Sequence, residues 1–213
     1  MKHYHETRLA YDSRRLILWK TLCDHYFQRL VRPGDCVLEL GAGYGDFINQ
    51  IRCRRRIAID FWQGMMEHLQ PGVEGHVGSV TDLEVIEDRS VDFVFASNLF
   101  EHLPQTEFAK TLQALRAKMK TGATLNILQP NYRFAYREYF DDYTHVTVYS
   151  DISLADPLEV NGFQITEVHP RFLPLTIKSK LPVSPTLIRL YLALPLKPMG
   201  KQMLIRAASR AGD

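Results

Sequence analysis

Residues 37–47, with the sequence VLELGAGYGDF, place three glycines within five positions directly after an apolar run. The run CVLEL at 36–40 is typical of a buried strand, whereas glycine at this density weakens strands and helices. Gly41, Gly43 and Gly45 permit positive φ angles and carry no side chain, so a ligand can approach the backbone closely. The pattern predicts a ligand-binding turn; the alternative is a tight strand-to-helix turn without a ligand.

The segments around this turn alternate between strand and helix patterns. Because strand and helix alternate from residue 36 onward, we predict an α/β fold with a doubly wound, seven-stranded, mostly parallel sheet, in which ligands bind beyond the carboxyl ends of the strands. The further strands are predicted at 55–60, 74–80, 90–97, 123–130, 163–170 and 201–208. Helices are predicted at about 7–31, 44–51, 104–119 and 151–162, with a short one around 62–69.

The length of 213 residues fits one domain. We predict a single domain over 1–213, with an N-terminal helical segment at 1–33, a cap over the carboxyl edge at 131–150 and an insertion at 171–200 between the last two strands. A net charge of +2 gives no indication of a nucleic-acid partner. Three cysteines without CxxC spacing predict reduced thiols, and the lack of a signal-peptide or transmembrane pattern predicts a cytoplasmic protein.

The spacing around the turn narrows the class of ligand. A dinucleotide fingerprint needs G-x-G-x-x-G, but here Asp46 occupies the position of the last glycine. Glu39 precedes the turn and would repel a pyrophosphate, so it favours a ligand with a cationic amine or sulfonium. Asp60 ends the second predicted strand, where a carboxylate can accept both hydroxyls of a ribose. The alternative for Asp60 is a helix N-cap.

Several motifs resemble, in order, those of class I S-adenosylmethionine-dependent methyltransferases: VLELGAGYGDF, IAID, VDFVFASNLFEHL and GATLNILQP, over about 36–130, followed later by NGFQITEVHPRF. The resemblance implies S-adenosylmethionine as cofactor and S-adenosylhomocysteine as product. It places the methionine end at the glycine turn and the ribose at the acid that ends the second strand. The implied cofactor-binding residues are Glu39, Gly41, Ala42, Gly43, Asp60, Phe61, Ser79, Val80, Asn98 and Leu99.

The third strand departs from the family pattern. Many members carry an acid directly after it, which binds the adenine amino group, but the sequence HVGSVTDL has Ser79 there. We expect Ser79 to accept that hydrogen bond and the backbone of Val80 to hold the ring, with Asp82 as the weaker alternative. Phe61 is expected beside the adenine. The same resemblance implies that Asn98 and Leu99 line the methyl-transfer channel.

The segment 130–150 contains seven aromatic residues together with arginine, aspartate and histidine. It follows the fifth predicted strand, so it should lie over the transferred methyl group. Aromatic walls with a few polar groups are typical of a small-molecule pocket; the alternative is a packed cap with solvated charges. The predicted substrate-binding residues are Tyr132, Arg133, Arg137, Tyr143 and His102, the last of which has a helix-start role as its alternative.

His145 is the predicted catalytic base, because a hydroxyl acceptor must lose a proton and histidine ordinarily titrates near pH 6.5. Asp142, or Asp141, can orient the other ring nitrogen. The alternative is a structural histidine that bonds a backbone carbonyl. His145, Asp142, Glu101 and His102 could also form a metal site, but their separation in the sequence provides no test of this, and we predict no metal.

We therefore predict an S-adenosylmethionine-dependent O-methyltransferase of a small hydroxylated molecule, such as a sugar, a glycan precursor or a secondary metabolite. One alternative is an N-methyltransferase of a protein or another acceptor, which the absence of N-P-P-[YF] after the fourth strand disfavours. The other is a non-catalytic cofactor-binding module, which the intact glycine turn and Asp60 disfavour.

The insertion at 171–200 contains an apolar helix, SPTLIRLYLAL, preceded by Arg171, Lys178 and Lys180. This pattern predicts packing beside the sheet or on a partner subunit, and we expect a monomer or a homodimer. The alternative is a surface that meets a lipid-linked or phosphorylated substrate, by peripheral contact with a membrane and without a transmembrane segment.

Overall fold

A computed structural model describes residues 12–174 and 183–210. It contains a seven-stranded sheet in the order β3-β2-β1-β4-β5-β7-β6, in which β7 is antiparallel to both of its neighbours and the other strands are parallel. The predicted fold class is thereby confirmed. The strands are β1 Cys36–Leu40, β2 Arg55–Asp60, β3 Val73–Val77, β4 Val91–Ser97, β5 Met119–Pro130, β6 Phe163–Leu173 and β7 Gln202–Ser209.

The helices flank this sheet on both faces. The α-helices are α1 Ser13–His25, α2 Gln105–Lys118, α3 Tyr132–Ala135, α4 Ala155–Val160 and α5 Pro185–Ala193. Short 3₁₀ helices cover Phe27–Arg29, Gln63–Glu67, Phe100–His102 and Tyr139–Asp141. The part of the predicted N-terminal segment before residue 12 lies outside the described residues.

The predicted helix at 44–51 is wrong, because the chain there forms successive turns. Gly43 and Gly45 have φ angles of 51° and 67°, which a right-handed helix excludes. The backbone bonds also mix two spacings: Asn49 N–H donates to Gly45 O four residues back, and Gln50 N–H donates to Phe47 O three residues back. This irregular segment therefore lacks the axial dipole of a full helix, and its ligand-binding capacity rests on individual backbone groups.

An aromatic cluster fixes α1 to one face of the sheet. Phe47, from the turn segment, stacks on Phe95 of β4 with ring centroids 4.0 Å apart, and Phe27 meets Phe95 edge-on at 5.0 Å. Trp19 of α1 adds a further edge contact to Phe95 at 5.8 Å. Burying side chains of this size stabilises a fold by about 1.5–3 kcal/mol each. The cluster holds the segment that follows the glycine turn close to the sheet.

The opposite face is covered mainly by α2, whose buried residues recur at helical spacing. Phe108, Leu112 and Leu115 join the core beneath β4 and β5. Pro104 precedes α2, and Met119 starts β5 directly after it. This tight connection sets the parallel pairing of β4 with β5.

The order of the strands creates a switch point between β1 and β4. β2 and β3 lie on one side of β1, and the chain then crosses over so that β4 pairs with the other side of β1. The turns after β1 and β4 consequently lie side by side, which is where open α/β sheets bind ligands. A Cβ atom placed on Gly41 would lie 2.9 Å from Leu99 Cδ1, so the two turns are in direct contact.

The insertion before β7 places α5 against α1, with Ile188 buried in the shared core. Leu187 and Leu190 of α5 and Leu194 directly after it lie at intervals of three and four residues and are exposed, so they form an apolar stripe along α5 and its C-terminal end. Lys178 and Lys180 of the predicted cationic segment lie outside the described residues. Within 12–174 and 183–210, no helix combines the length and apolar character needed to cross a membrane.

The cysteines Cys23, Cys36 and Cys53 are all free, the first two buried and the third half-buried. Burial raises the pKa of each thiol above its ordinary value. All three are therefore protonated structural side chains at neutral pH, in agreement with the sequence prediction.

Candidate active site

Asp60 connects the glycine turn to the end of β2. Its Oδ2 atom accepts the Gly43 N–H at 2.8 Å, and its Oδ1 atom accepts the Trp62 N–H at 2.8 Å. Its carboxylate is 5% exposed. Since a carboxylate offers about four acceptor positions, two remain for ligand hydroxyls. Asp60 is not the N-cap of the following 3₁₀ helix, since that position is held by Trp62; its carboxylate binds the Trp62 N–H and lies beside the glycine turn as well.

The turn itself is anchored by the carbonyl of Ile59, which accepts the N–H groups of Gly41 and Ala42 at 2.8 and 3.2 Å. Gly41 and Gly43 have φ angles of 65° and 51°, in the region that favours glycine. The backbone conformation therefore favours glycine at both positions, and the close approach of Leu99 excludes a side chain at Gly41.

Glu39 lies beneath the turn, with its carboxylate buried and its Oε2 atom accepting the Ile48 N–H at 2.9 Å. Burial raises the pKa of Glu39 well above its ordinary value, and the nearby carboxylates of Asp46 and Asp60 add to this effect, whereas the Ile48 N–H and Arg15 oppose it. Arg15 also pairs with Asp46, its Nε donating to Oδ2 at 2.8 Å. Three acids gathered at this edge make it more favourable for a cationic ligand than for a phosphate.

The predicted adenine-binding residues are spread along the ends of β2 and β3. Phe61 is 53% exposed, as a ring-stacking role requires. The Ser79 hydroxyl lies 2.8 Å from Thr81 Oγ1 and accepts the Thr81 N–H at 3.2 Å, so it belongs to a local turn. Val80 is buried in the core. Asp82 similarly accepts the Glu84 N–H at 3.2 Å.

An aromatic group beside the glycine turn was not predicted. The ring centroids of Tyr44 and Trp62 lie 5.1 Å apart, and His68 lies 4.7 Å from Tyr44 and 5.7 Å from Trp62. The position of Trp62, two residues after Asp60, is the signal in the sequence that could have indicated this group.

The turn after β4 holds Asn98 in a left-handed conformation, with φ 49°. Its N–H donates to Leu128 O at 2.8 Å, and its Oδ1 accepts from Gln202 Nε2 at 3.0 Å. Gln129, near the end of β5, is fully buried, and neither atom of its side-chain amide has a partner among the described residues. Gln129 and Gln202 were not predicted, because a single glutamine in a strand carries no pattern.

The cap is packed by Tyr139, whose buried hydroxyl donates to Thr147 O at 2.7 Å and whose ring meets Tyr132 edge-on at 5.3 Å. Two of the predicted substrate-binding residues are engaged within the cap: Arg133 binds the carboxylate of Asp151 at 3.1 Å, and Arg137 donates to the hydroxyl of its neighbour Tyr136 at 3.1 Å. Tyr143 is 74% exposed. Arg133 and Arg137 therefore have partners within the cap, and a shared pocket formed by the five predicted substrate-binding residues stays a prediction.

The cap brings His145 next to His102, with ring centroids 4.8 Å apart. Burial lowers the pKa of His102 to about 4, and His145 contributes to this shift. His102 Nδ1 lies 2.9 Å from Thr144 Oγ1, and His145 Nδ1 lies 2.6 Å from the backbone carbonyl of Tyr139. The second contact is the one that the structural interpretation of His145 proposed.

The prediction that Asp142 or Asp141 orients a ring nitrogen of His145 stays a prediction; Nδ1 of that ring contacts the carbonyl of Tyr139. Asp142 accepts both the N–H and the hydroxyl of Thr144, at 3.0 and 2.6 Å. An aspartate readily bonds the backbone two residues ahead, so this turn forms locally. Burial alone would raise the pKa of Asp142, but the Thr144 hydrogen bonds and the nearby His102 and His145 together outweigh it, and the pKa is lowered.

Two cavities of about 460 and 300 Å³ lie at the opposite edge of the sheet. They are lined by residues that precede β1 and β2, among them Gln28, Arg52 and Cys53. This edge is at the amino ends of the strands, away from the switch point. Burial raises the pKa of Cys53 to about 11, so its thiol is protonated at neutral pH.

The family model described as "Methyltransferase domain" matches residues 11–168. None of the curated proteins compared with the chain matches it. Among solved structures, an S-adenosylmethionine-dependent methyltransferase from Archaeoglobus fulgidus is similar, with 22% identity, a TM-score of 0.70 and 97% coverage of both chains.

Two further structures share the fold. A methyltransferase of Haloferax volcanii, solved in complex with the Trm112 methyltransferase activator, has 16% identity and a TM-score of 0.67, with 95% of this chain and 100% of that chain covered. An S-adenosylmethionine-dependent methyltransferase from Thermotoga maritima has 18% identity and a TM-score of 0.68, with 98% and 99% covered. The chain therefore belongs to the methyltransferase domain family and has the class I fold of S-adenosylmethionine-dependent methyltransferases.

Proposed function

We propose that the protein transfers the methyl group of S-adenosylmethionine to a hydroxyl group of a small acceptor and releases S-adenosylhomocysteine. The observation that carries the proposal is the bond between Gly43 and Asp60, which holds a side-chain-free turn against a buried carboxylate at the switch point of the sheet. Family membership supports the reaction class.

Each part of the cofactor has a counterpart at this edge. The methionine end and the sulfonium lie beside Gly41, Ala42 and Gly43, where the buried Glu39 becomes ionised when the cation binds and then balances its charge. The ribose hydroxyls donate to the remaining acceptor positions of Asp60. The adenine stacks on Phe61, which is already exposed for this purpose.

Other residues complete the site. In the proposal, Ser79 and the backbone of Val80 bind the adenine edge, although the Ser79 hydroxyl must then exchange its contact with Thr81. Asn98 and Leu99 line the channel to the acceptor, and the bond from Gln202 to Asn98 fixes that side chain. Above them, Tyr132 and Tyr143 supply aromatic surface, and Arg133, Arg137 and His102 supply polar contacts to the acceptor.

Methyl transfer is an in-line displacement. The acceptor oxygen attacks the methyl carbon, the carbon–sulfur bond breaks, and its electron pair stays on sulfur. Positioning of the two reactants can lower the activation barrier by roughly 7–11 kcal/mol.

We propose that His145 accepts the proton of the acceptor hydroxyl. The Tyr139 carbonyl can only accept a hydrogen bond, so Nδ1 of His145 carries the hydrogen and Nε2 carries the lone pair of a base. Asp142 acts on His145 indirectly. It accepts the Thr144 hydroxyl, which bonds His102, and the His102 ring lies next to His145.

The acceptor class in this proposal is a sugar, a glycan precursor or a secondary metabolite. A lipid-linked acceptor is favoured by the apolar stripe of Leu187, Leu190 and Leu194, because exposed leucines along a helix and its C-terminal end suit contact with a membrane surface.

Calorimetric titration with S-adenosylhomocysteine tests the cofactor site, and one site per chain is expected. Incubation with methyl-labelled S-adenosylmethionine and a panel of hydroxylated acceptors then tests the reaction. Absence of cofactor binding would reject the enzymatic proposal. Label appearing only on amine acceptors would reject O-methylation.

A further inference from the structure

Glu101, His102 and His145 form a compact group, the EHH cluster. One carboxylate oxygen and one nitrogen from each ring lie within 4.8 Å of one another. Glu101 and His102 share the 3₁₀ turn after β4, and the cap brings His145 to them. The bridge is made by the backbone: Val146 and Thr147 both donate their N–H groups to the carbonyl of Glu101, at 2.9 and 3.1 Å. The main chain therefore holds His145 in place over the turn.

The side chain of Glu101 is fully buried, and neither of its carboxylate oxygens has a hydrogen-bond partner within the described parts of the chain. Its environment contrasts with that of Asp60 and Asp142, whose carboxylates each accept two hydrogen bonds. Burial of an ionised carboxylate is unfavourable unless the group is paired or coordinates a metal. Glu101 thus has unused ligand capacity inside the protein, and nearby Asp142 adds negative charge to the same place.

The hydrogen bonds of the two histidines fix which nitrogen holds the lone pair. The Tyr139 carbonyl can only accept, so His145 Nδ1 is the donor. Thr144 Oγ1 gives its own hydrogen to Asp142 at 2.6 Å, so it accepts from His102 Nδ1. Both rings therefore carry the lone pair on Nε2. Metal-binding histidines in proteins commonly have this arrangement, donating their other N–H to a carbonyl or another oxygen.

We propose that the EHH cluster binds a divalent transition-metal cation of the zinc class through Glu101, His102 and His145. Two imidazoles and one carboxylate, with a further position left open, are a known ligand set for Zn²⁺ and also for Fe²⁺.

Its role in catalysis rests on the proposed methyltransferase function. A hydroxyl group bound at the open position would lose its proton to solvent more readily, because the cation stabilises the resulting alkoxide. His145 would then act as a metal ligand, and its proposed role as the general base would apply only to the protein without the cation. Cation binding should not change the affinity for the cofactor, because different residues, at the glycine turn, bind the cofactor.

Titration of chelator-treated full-length protein with Co²⁺, followed by visible absorption, tests the site directly. We expect one equivalent to bind with the spectrum of a mixed nitrogen and oxygen site, and Zn²⁺ to displace it. Glu101→Gln and His102→Ala should each weaken binding at least tenfold. The matched control is Glu159→Gln, an exposed glutamate on α4, which should bind like the unmodified protein.

Thermal unfolding provides a second measurement that does not depend on activity. Zn²⁺ should raise the melting temperature of the unmodified protein and of Glu159→Gln, but not that of Glu101→Gln. Glu101→Gln replaces a buried carboxyl group that has no hydrogen-bond partner among the described residues with an uncharged group of similar size, so we expect it to fold. Lack of Co²⁺ binding by the unmodified protein, or equal binding by Glu101→Gln, would overturn the inference.

The cofactor titration separates this inference from the proposed function. If S-adenosylhomocysteine binds and Co²⁺ does not, the metal site is rejected and the methyltransferase proposal stands. If Co²⁺ binds through Glu101 and S-adenosylhomocysteine does not bind, the metal site stands and the proposed function is rejected.

Discussion

Gly43 and Asp60 are joined by a hydrogen bond of 2.8 Å from the Gly43 N–H to Oδ2 of the carboxylate. The bond connects the turn after β1 to the last residue of β2. A residue that we expect to bind the ribose therefore also shapes the turn that receives the methionine end of the cofactor. Changes at Asp60 should affect both the ligand and the fold.

Asp60→Ala is expected to lower the affinity for S-adenosylhomocysteine on the order of 10- to 100-fold, because hydrogen bonds to a charged group contribute about 1.5–3 kcal/mol each. The variant should also be less stable, since the Gly43 and Trp62 N–H groups lose their acceptor. Calorimetry and urea denaturation measure the two effects. Asp88→Ala, which removes an exposed carboxylate, is the control. Unchanged affinity in Asp60→Ala would remove this residue from the cofactor site.

Gly41→Ala is expected to destabilise the protein and to weaken cofactor binding. A φ angle of 65° costs an alanine about 1–2 kcal/mol, and the added Cβ would lie 2.9 Å from Leu99 Cδ1. Combining it with Leu99→Ala should recover part of the loss, because the double variant removes the clash but leaves the backbone strain. Gly34→Ala, whose Cβ would meet nothing within 4 Å, is the control. If the losses of stability of Gly41→Ala and Leu99→Ala simply add in the double variant, the contact between Gly41 and Leu99 is contradicted.

Glu39→Gln is expected to change how stability depends on pH. Burial raises the pKa of Glu39 in the folded protein, so the folded state holds the proton more tightly than the unfolded chain does. The resulting stabilisation is fully present below the ordinary value of 4.5 and is lost as the pH rises through the folded value. Relative to Glu39→Gln, the unmodified protein should therefore lose unfolding free energy between about pH 5 and pH 8.

Urea denaturation at both pH values measures this difference, with Glu159→Gln as the control. A constant difference between Glu39→Gln and the unmodified protein would show that the carboxylate is ionised throughout. Because the pKa of Glu39 is raised in the folded protein, a cationic ligand is also expected to release a proton from Glu39 on binding. Calorimetry in buffers of different ionisation enthalpy detects this release.

His145→Ala is expected to lower turnover by roughly 10²- to 10⁴-fold, the usual contribution of general base catalysis. Cofactor affinity should be unchanged, because the ring is held by the cap through the Tyr139 carbonyl. His25→Ala, at the end of α1, is the matched control. Turnover of His145→Ala equal to that of His25→Ala would dismiss His145 as a participant in the reaction.

Vesicle flotation tests whether α5 meets a membrane. The protein should float with vesicles of phosphatidylcholine and phosphatidylglycerol, and the double variant Leu187→Asp/Leu190→Asp should not, because charge on the apolar stripe prevents its burial in the interface. Val160→Asp changes an even more exposed apolar residue, on α4, and should float normally. Failure of the unmodified protein to float would exclude the lipid-linked acceptor.

Sequence reasoning succeeded where local chemistry sets the outcome. The strands were recognisable as short apolar runs, and the positive φ angles of Gly41, Gly43 and Gly45 follow from the absence of a Cβ atom. It failed for the helix at 44–51, because the same glycines that form the turn interrupt the helical spacing that follows. The apolar pattern there reflects burial of Phe47 against Phe95, which does not require a helix.

The sequence alone determined the order of the strands along the chain, the turn after β1 and the acid at the end of β2, since each depends on neighbouring residues. Only the tertiary structure decided which distant side chains meet. Thr144 reaches His102 across 42 residues, and the carbonyl of Glu101 fixes the cap through Val146 and Thr147. These contacts depend on how the cap packs over the sheet, and packing between distant segments leaves no periodic signal in the chain.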